Sequence, residues 1–385
     1  MKPKLLIVIP HIGTAGGGVS ESARLLANAL YKREIFEIHV LTIDTKDDLK
    51  AQINWESINF HFYESFGPAN FGFSPGMVRH ILKNKYDIIH VHGIWTFHVL
   101  VAGIGALRKI PIVISPHGML EPWILNRSPY LKCMVSKLYQ NKVFDMTSVF
   151  HALTSKETED IKNFLPKAKI ETIPNFVPKP ELNDLDNPNW FKSEFKDKKI
   201  FLFFGRIHDK KGWRPLLEAW LKFCQRNNIA KNKSLLVFCG WIDGIPDFED
   251  KIKEVSDITG SVIYAGPQYG LDRIKSYNVA DFFILPSKSE GLPMAVLEAI
   301  NSDTVVMMSH ECNLSGLLNN DAAIDTGTDE ETILTSIETV YSLNDEDIKN
   351  VKARAELYVD ENYSEDKVVN SVINLFNKVI GFKKE

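Results

Sequence analysis

Short apolar runs alternate with amphipathic stretches along the whole chain. In the first half, KLLIVIP, IHVLTI, DIIHVHG, IPIVISPHG and VFHALT are rich in Val and Ile and break off near Gly, Pro, His or Ser, as buried strands do. Between them SESARLLANALYKR and PGMVRHILKNK place apolar residues at helical spacing. KIFLFFGR, SLLVFCG, SVIYAG, ADFFILPS and TVVMMS repeat the rhythm in the second half. Strand and helix in alternation predict α/β architecture, with mostly parallel sheets covered by helices on both faces. Residues 174–199 hold four prolines among Asn, Asp and Lys, the composition of a linker. From about Asp360, ENYSEDKVVNSVINLFNKVIGF predicts a last amphipathic helix with no strand after it.

Composition narrows this picture. At 385 residues and 44% hydrophobic content, two domains with separate cores are expected. The boundaries predicted are 1–175 and 176–361, with helix 362–385 outside the second domain. Cys133, Cys224, Cys239 and Cys312 form no CxxC pair, so neither a zinc site nor a disulfide framework is indicated, and a reducing cytoplasm fits. The apolar run LLIVI near the N-terminus is only five residues long and reads as a strand. No stretch approaches a membrane span of about eighteen apolar residues or more. Residues 1–175 carry 20 Lys and Arg against 15 Asp and Glu, whereas 176–385 carry 25 against 34, so the halves face different partners.

Ligands of doubly wound sheets sit beyond the C-terminal strand ends. The first strand ends in PHIGTAGGGVSES, where Gly17 and Gly18 let backbone approach a ligand before a helix expected near Ser20. This is not GxGxxG, and the acid a dinucleotide site wants about 20 residues on is matched only by Asp44, 26 residues past Gly18. A nicotinamide dehydrogenase is disfavoured. His117, in SPHG, projects from another strand end, where imidazole can polarise or accept a proton. FFGRIHDKKGW delivers Arg206 and Lys211 to a strand-to-helix junction, a pairing of forked donor and point charge that suits a diphosphate.

PSKSEGLPMAVLEAIN then sets Glu290 and Glu298 eight positions apart. On a helix from Leu292, with Pro293 in its first turn, eight positions return to within about 80° around the axis, so both carboxylates can reach one ligand. Two DxD matches, Asp184 to Asp186 in the linker and Asp345 to Asp347 at a helix start, read better as solvated or capping acids than as metal ligands.

In this order and spacing, the glycine loop at 16–18, SPHG at 115–118, GR then KKG at 205–212 and SEGLPMAVLEA at 289–299 resemble glycosyltransferase family 4 over nearly the whole chain. VHGIWTFH and SPHGMLEPW further resemble bacterial members that build cell-surface polysaccharides. The resemblance implies the GT-B fold of two facing Rossmann-like domains, with the last helix crossing back to the first. It implies a retaining hexosyl transfer from a UDP- or GDP-linked sugar to a glycan or lipid-linked glycan.

Laid onto this chain, Arg206 and Lys211 would bind the diphosphate, Glu298 the ribose and Glu290 the donor sugar. Backbone N–H groups of Gly291, Leu292 and Met294 would hold phosphate or sugar, Gly17 and Gly18 would line the donor, and the base would pack near YAGPQYG. His117 is assigned to the donor sugar or the acceptor hydroxyl. No cofactor, no metal and no nucleic acid are expected. Two alternatives stay open, a nucleotide-sugar epimerase or hydrolase of the same fold and a non-catalytic scaffold of a polysaccharide assembly.

Residues 122–144 carry Arg127, Lys132, Lys137 and Lys142 without an acid, interleaved with Trp123, Tyr130, Tyr139 and Phe144. Such a band suits an anionic bilayer surface, so peripheral attachment to the inner face of the membrane is expected, against a plain solvated helix with its aromatics turned inward.

Overall fold

The computed structural model describes residues 2–43, 45–68, 71–180 and 185–381, so Asp44, Asp184 and the last four residues of the expected final helix lie outside it. The chain divides into two compact units, Met1–Phe176 with Glu365–Glu385, and Val177–Ser364. Among the described residues the first unit holds seven strands: β1 Lys4–Val8, β2 Glu37–Ile43, β3 Asn59–Tyr63, β4 Ile88–His92, β5 Ile112–Ser115, β6 Val149–Ala152 and β7 Ile170–Thr172. The second holds six: β8 Lys199–Phe204, β9 Ser234–Cys239, β10 Val262–Gly266, β11 Phe282–Leu285, β12 Val305–Met308 and β13 Ile324–Asp325. The sheets run in the orders β3-β2-β1-β4-β5-β6-β7 and β10-β9-β8-β11-β12-β13, all neighbours parallel.

These orders reverse direction once in each sheet, at β1/β4 and at β8/β11. There the two crossovers leave in opposite directions and open a crevice at the strand ends. Burial on both faces explains the unbroken apolar runs. Leu5 and Ile7 of β1 pack in one core layer, while Leu6 and Val8 pack in the other with Met77 and Ile81. The first layer also takes Leu26 and Leu30 of the helix Gly17–Lys32, and Val368, Val372 and Phe376 of the helix Glu365–Gly381. The final helix is thereby part of the first unit's core, although it starts at Glu365 and the last strand of that unit ends at Thr172.

Three helix boundaries differ from expectation. The first helix begins at Gly17 rather than near Ser20, so Gly17 and Gly18 lie in its opening turn. The final helix, expected from 362, begins at Glu365, because the preceding helix Asp345–Tyr363 runs on to Tyr363 and the extended backbone of Ser364 (φ −63°, ψ 144°) parts the two. Pro293 precedes the helix Met294–Asn301 instead of sitting in its first turn, because its ψ of 102° is extended. Gly291 and Leu292 are therefore loop residues. No helix among the described residues is long and apolar enough to cross a membrane.

Phe376 is fully buried, edge-on to Phe36 at 5.8 Å and to His90 at 5.2 Å between ring centres. Phe376→Ala is expected to cost about 3–5 kcal/mol, as large-to-small core changes do. Urea unfolding checks it; a loss below about 1 kcal/mol would show that the helix merely rests on the unit.

Candidate functional site

In the second unit the site grows from two loops that leave β8 and β11 side by side. After β8 the chain passes Gly205, Arg206 and a short turn, Asp209–Lys211, before Gly212 opens the helix Trp213–Arg226. Gly212 sits at φ 73°, and a Cβ there would stand 2.1 Å from the Pro286 carbonyl oxygen. Only glycine lets the two loops approach this closely. Lys288 N–H donates to the Lys210 carbonyl at 2.7 Å, completing the seam.

That seam joins Lys211 to Glu290. Their Nζ and Oε1 are 2.6 Å apart, with both side chains largely buried, and the Ser287 hydroxyl donates to the same Oε1 at 2.6 Å. An ammonium has three N–H donors, so Lys211 can keep Glu290 and still meet a phosphate oxygen. Arg206 pairs with Asp243 at 3.0 Å in a half-exposed contact, which is weak and releases donors readily. Glu298 faces Arg273 of the helix Gly270–Asn278 at 3.5 Å, so the two glutamates serve different cations. Burial first, then the charge of Glu298, keeps the Tyr277 phenol protonated beside it.

Helix starts add donors. The helices Gly17–Lys32, Trp213–Arg226 and Met294–Asn301 have no side-chain cap, whereas Ser155–Phe164, Glu330–Ser342 and Asp345–Tyr363 are capped by Thr154, Asp329 and Asn344. Uncapped first-turn N–H groups at strand ends are suited to an anion. Asp345 to Asp347 lie exposed in the first turn of their helix, where Asn344 accepts from Asp347 N–H. No group of three or more His, Cys, Asp and Glu placed to hold a metal ion occurs among the described residues. Tyr264 and Tyr269, proposed around the base, flank the end of β10, with Tyr269 exposed.

In the first unit the three glycines separate by role. A Cβ on Gly16 would collide with the His11 carbonyl and Ser20, Gly17 has φ 52°, and a Cβ on Gly18 would meet nothing within 4 Å. Gly291 in the second unit is equally open. Neither Gly18 nor Gly291 is demanded by the protein's own packing.

Two buried carboxylates hold the strand-end loops, and neither was among the predicted site residues. Asp48 accepts from Ile12 and Gly13 N–H at 2.7 and 2.8 Å and from the Thr45 hydroxyl at 2.6 Å, with His11 at 3.1 Å. Burial alone would raise its pKa, but these hydrogen bonds outweigh it and hold the carboxyl below its usual range. Glu157 accepts from Gly118 and Leu153 N–H, both at 2.7 Å, and there burial prevails and raises the pKa against the two bonds. Its signal was present in the sequence as the capping box Thr154 to Glu157. His117 (φ 54°) and Gly118 (φ 75°) follow β5, and Trp95 (φ 75°) follows β4 beside them. A non-glycine residue in this region is strained, so the surrounding loops hold His117 and Trp95 in place.

His117 is partly exposed, and burial of its ring lowers its pKa to about 3, so it is a neutral imidazole at physiological pH. Its Nε2 lies 3.0 Å from Nδ1 of His92, the last residue of β4.

Two family models match the chain, Glycosyltransferase Family 4 over residues 16–179 and Glycosyl transferases group 1 over residues 186–359. An uncharacterized glycosyltransferase of Methanocaldococcus jannaschii is 25% identical over 323 residues, 76% of this chain and 76% of that protein. Alpha-monoglucosyldiacylglycerol synthase of Streptococcus pneumoniae is 24% identical over 323 residues, 79% of this chain and 70% of that protein. Among solved structures, Anabaena HepE in complex with UDP-glucose aligns with TM-score 0.74 at 13% identity, covering 97% of this chain and 99% of that one, a likeness of fold. The two parallel-sheet, Rossmann-like units are those of the GT-B architecture, and the chain belongs to the glycosyltransferases, its first unit to family 4 and its second to group 1.

Proposed function

We propose that this glycosyltransferase moves a hexosyl residue, with retention, from a UDP- or GDP-linked donor to a glycan or lipid-linked acceptor in bacterial cell-surface polysaccharide synthesis. The observation that carries the donor half is the seam at β8/β11, where Lys211 meets Glu290 at the reversal point of the sheet, with Arg206 on the same loop after β8 and an uncapped helix start after β11. The UDP-glucose bound by the Anabaena protein of the same fold supports a nucleotide-sugar donor.

Charge develops on the diphosphate as the sugar leaves. Cations already fixed there stabilise the transition state more than the ground state, since they need not reorganise. Glu290 and Ser287 fix Lys211. The second carboxylate oxygen of Glu290 is then placed to accept from a sugar hydroxyl, and Glu298 takes the ribose. Attack and departure occur on the same face, with the leaving phosphate oxygen taking the acceptor's proton. Metal is not required, because Arg206, Lys211 and helix N–H groups supply the positive charge that an ion would bring.

The acceptor half rests on residues 123–138. Trp123 (42% exposed), Tyr130 (91%), Leu131 (57%), Met134 (52%) and Leu138 (65%) project into solvent from two short helices and a π turn, Ser136–Gln140. Exposed Arg127, Lys137 and Lys142 accompany them. Part of the expected band is redirected: Tyr139 and Phe144 are buried, and Lys132 donates to the Ile124 and Arg127 carbonyls instead of facing outward. The π turn also changes the angular spacing assumed for a regular helix. Apolar side chains set among cations suit the headgroup region of an anionic bilayer. The S. pneumoniae relative, named for a glucosylated diacylglycerol, supports a lipid acceptor.

Arg206→Ala and Lys211→Ala are each expected to lower kcat/KM at least about 100-fold with the unfolding transition retained; near-normal turnover in both would remove the site. Transfer should persist in excess EDTA, and loss restored by Mn²⁺ or Mg²⁺ would show a metal-dependent enzyme. Co-sedimentation with vesicles containing anionic lipid should weaken by about 100-fold when Arg127, Lys137 and Lys142 become glutamine, at about 1 kcal/mol each. Unchanged binding, or none at low salt, would leave a soluble acceptor.

A further inference from the structure

His117 ends a continuous hydrogen-bonded chain that crosses the first unit. His117 Nε2 meets His92 Nδ1 at 3.0 Å, His92 Nε2 meets His90 Nδ1 at 3.2 Å, and His90 Nε2 meets Ser115 Oγ at 2.8 Å. Ser115 Oγ meets His151 Nδ1 at 2.9 Å, and His151 Nε2 meets the Ile173 carbonyl oxygen at 2.8 Å. The sheet builds this directly. His92 pairs with Ser115 in register across β4 and β5, His90 lies two residues back on the same face, and His151 follows Phe150, the partner of Ile114. His90, His92, Ser115 and His151 are all buried.

A carbonyl oxygen only accepts, and that end sets the direction of every bond. His151 must carry its proton on Nε2, leaving Nδ1 bare to accept the single proton of Ser115. Ser115 oxygen must then accept from His90 Nε2–H. His90 Nδ1 is left bare and accepts from His92 Nε2–H, and His92 Nδ1 accepts in turn from His117 Nε2–H. These bond directions hold for neutral rings. Burial keeps them so, lowering His117 to about 3, His151 to about 4, and His90 and His92 well below the usual value. His98 braces the same strand end, donating from Nε2 to the His92 and Gly93 carbonyls at 3.1 Å.

We propose that Ser115, His90, His92 and His151 are positioning residues that lock His117 in its Nε2–H tautomer, so that Nδ1 presents a lone pair able to accept only from a hydroxyl of the donor sugar or acceptor. The functional half rests on the placement of His117 at the reacting sugars. A group that can only accept, such as a carboxylate or carbonyl, is repelled at that position, so the relay selects for a hydroxyl by refusing to offer a proton.

Long-range ¹H–¹⁵N correlation on the ¹⁵N-histidine-labelled, ligand-free protein near neutral pH tests the relay before any variant is made. His90, His92, His117 and His151 should all appear as neutral Nε2–H tautomers; any of the four as Nδ1–H or as imidazolium would overturn it. Ser115→Ala should leave His151 on Nε2–H while His92 and His117 show mixed tautomers. It should lower kcat/KM by about 3- to 10-fold, the scale of one neutral hydrogen bond, and Ser115→Thr, which keeps the hydroxyl, should restore both. An unaltered His117 spectrum in a folded Ser115→Ala protein would overturn the proposal. His117→Ala with full activity would overturn its functional half and the placement of His117 at the sugars, while the wild-type spectrum separately decides the relay.

Discussion

Parallel pairing is the constraint from which the rest follows. Every strand contact in both sheets is parallel, so each sheet delivers all its strand C-termini to one edge, and each return path is a crossover rather than a hairpin. At the single reversal in each order the loops after two neighbouring strands come side by side. After β8 and β11 these loops carry Arg206, Lys211 and Glu290. The loops after β1 and β5 carry the glycines and His117, which meets His92 at the end of β4. Residues more than 70 apart in sequence meet because the sheet, not the local chain, chooses their neighbours.

Many of the polar groups gathered at the strand ends are answered by another, although Gln268 Oε1 after β10 and Gln140 Nε2 behind Trp95 are buried without a partner. A buried donor or acceptor left unmatched costs about 1–3 kcal/mol. Asp48 and Glu157 satisfy two loop N–H groups each, and Glu290 satisfies Lys211 and Ser287 together. The histidines and Ser115 satisfy one another down to a backbone carbonyl. The loops are thus held in place before substrate arrives, which is what electrostatic catalysis requires.

How much of this was legible varies with the physics. The central strands announced themselves as Val- and Ile-rich runs because both faces are buried. The edge strand β3, with its alternating NFHFY, and the short β7 and β13, IET and ID, carry no such run and were not foreseen. Arg206, Lys211 and Glu290 could be read from their place after apolar runs, but the meeting of Lys211 with Glu290 at 2.6 Å could not, since it depends on which strands are neighbours. Asp48 and Glu157 read locally as helix-start acids; their partners at Ile12 and Gly118 belong to other loops. Nine of the eleven histidines lie within residues 1–175, which the sequence shows, whereas the relay needed the register of β4, β5 and β6.

The central claim is that the second unit reads a diphosphate through its own cations and backbone. Calorimetric titration of the whole chain with UDP and GDP, against uridine and guanosine, in buffer free of divalent ions tests it most directly. One of the diphosphates is expected to bind at least about 100-fold more tightly than its nucleoside, because the two cations and the helix start would contact the phosphates alone. Equal affinity for nucleoside and diphosphate, or binding of neither diphosphate until a divalent ion is added, would contradict it.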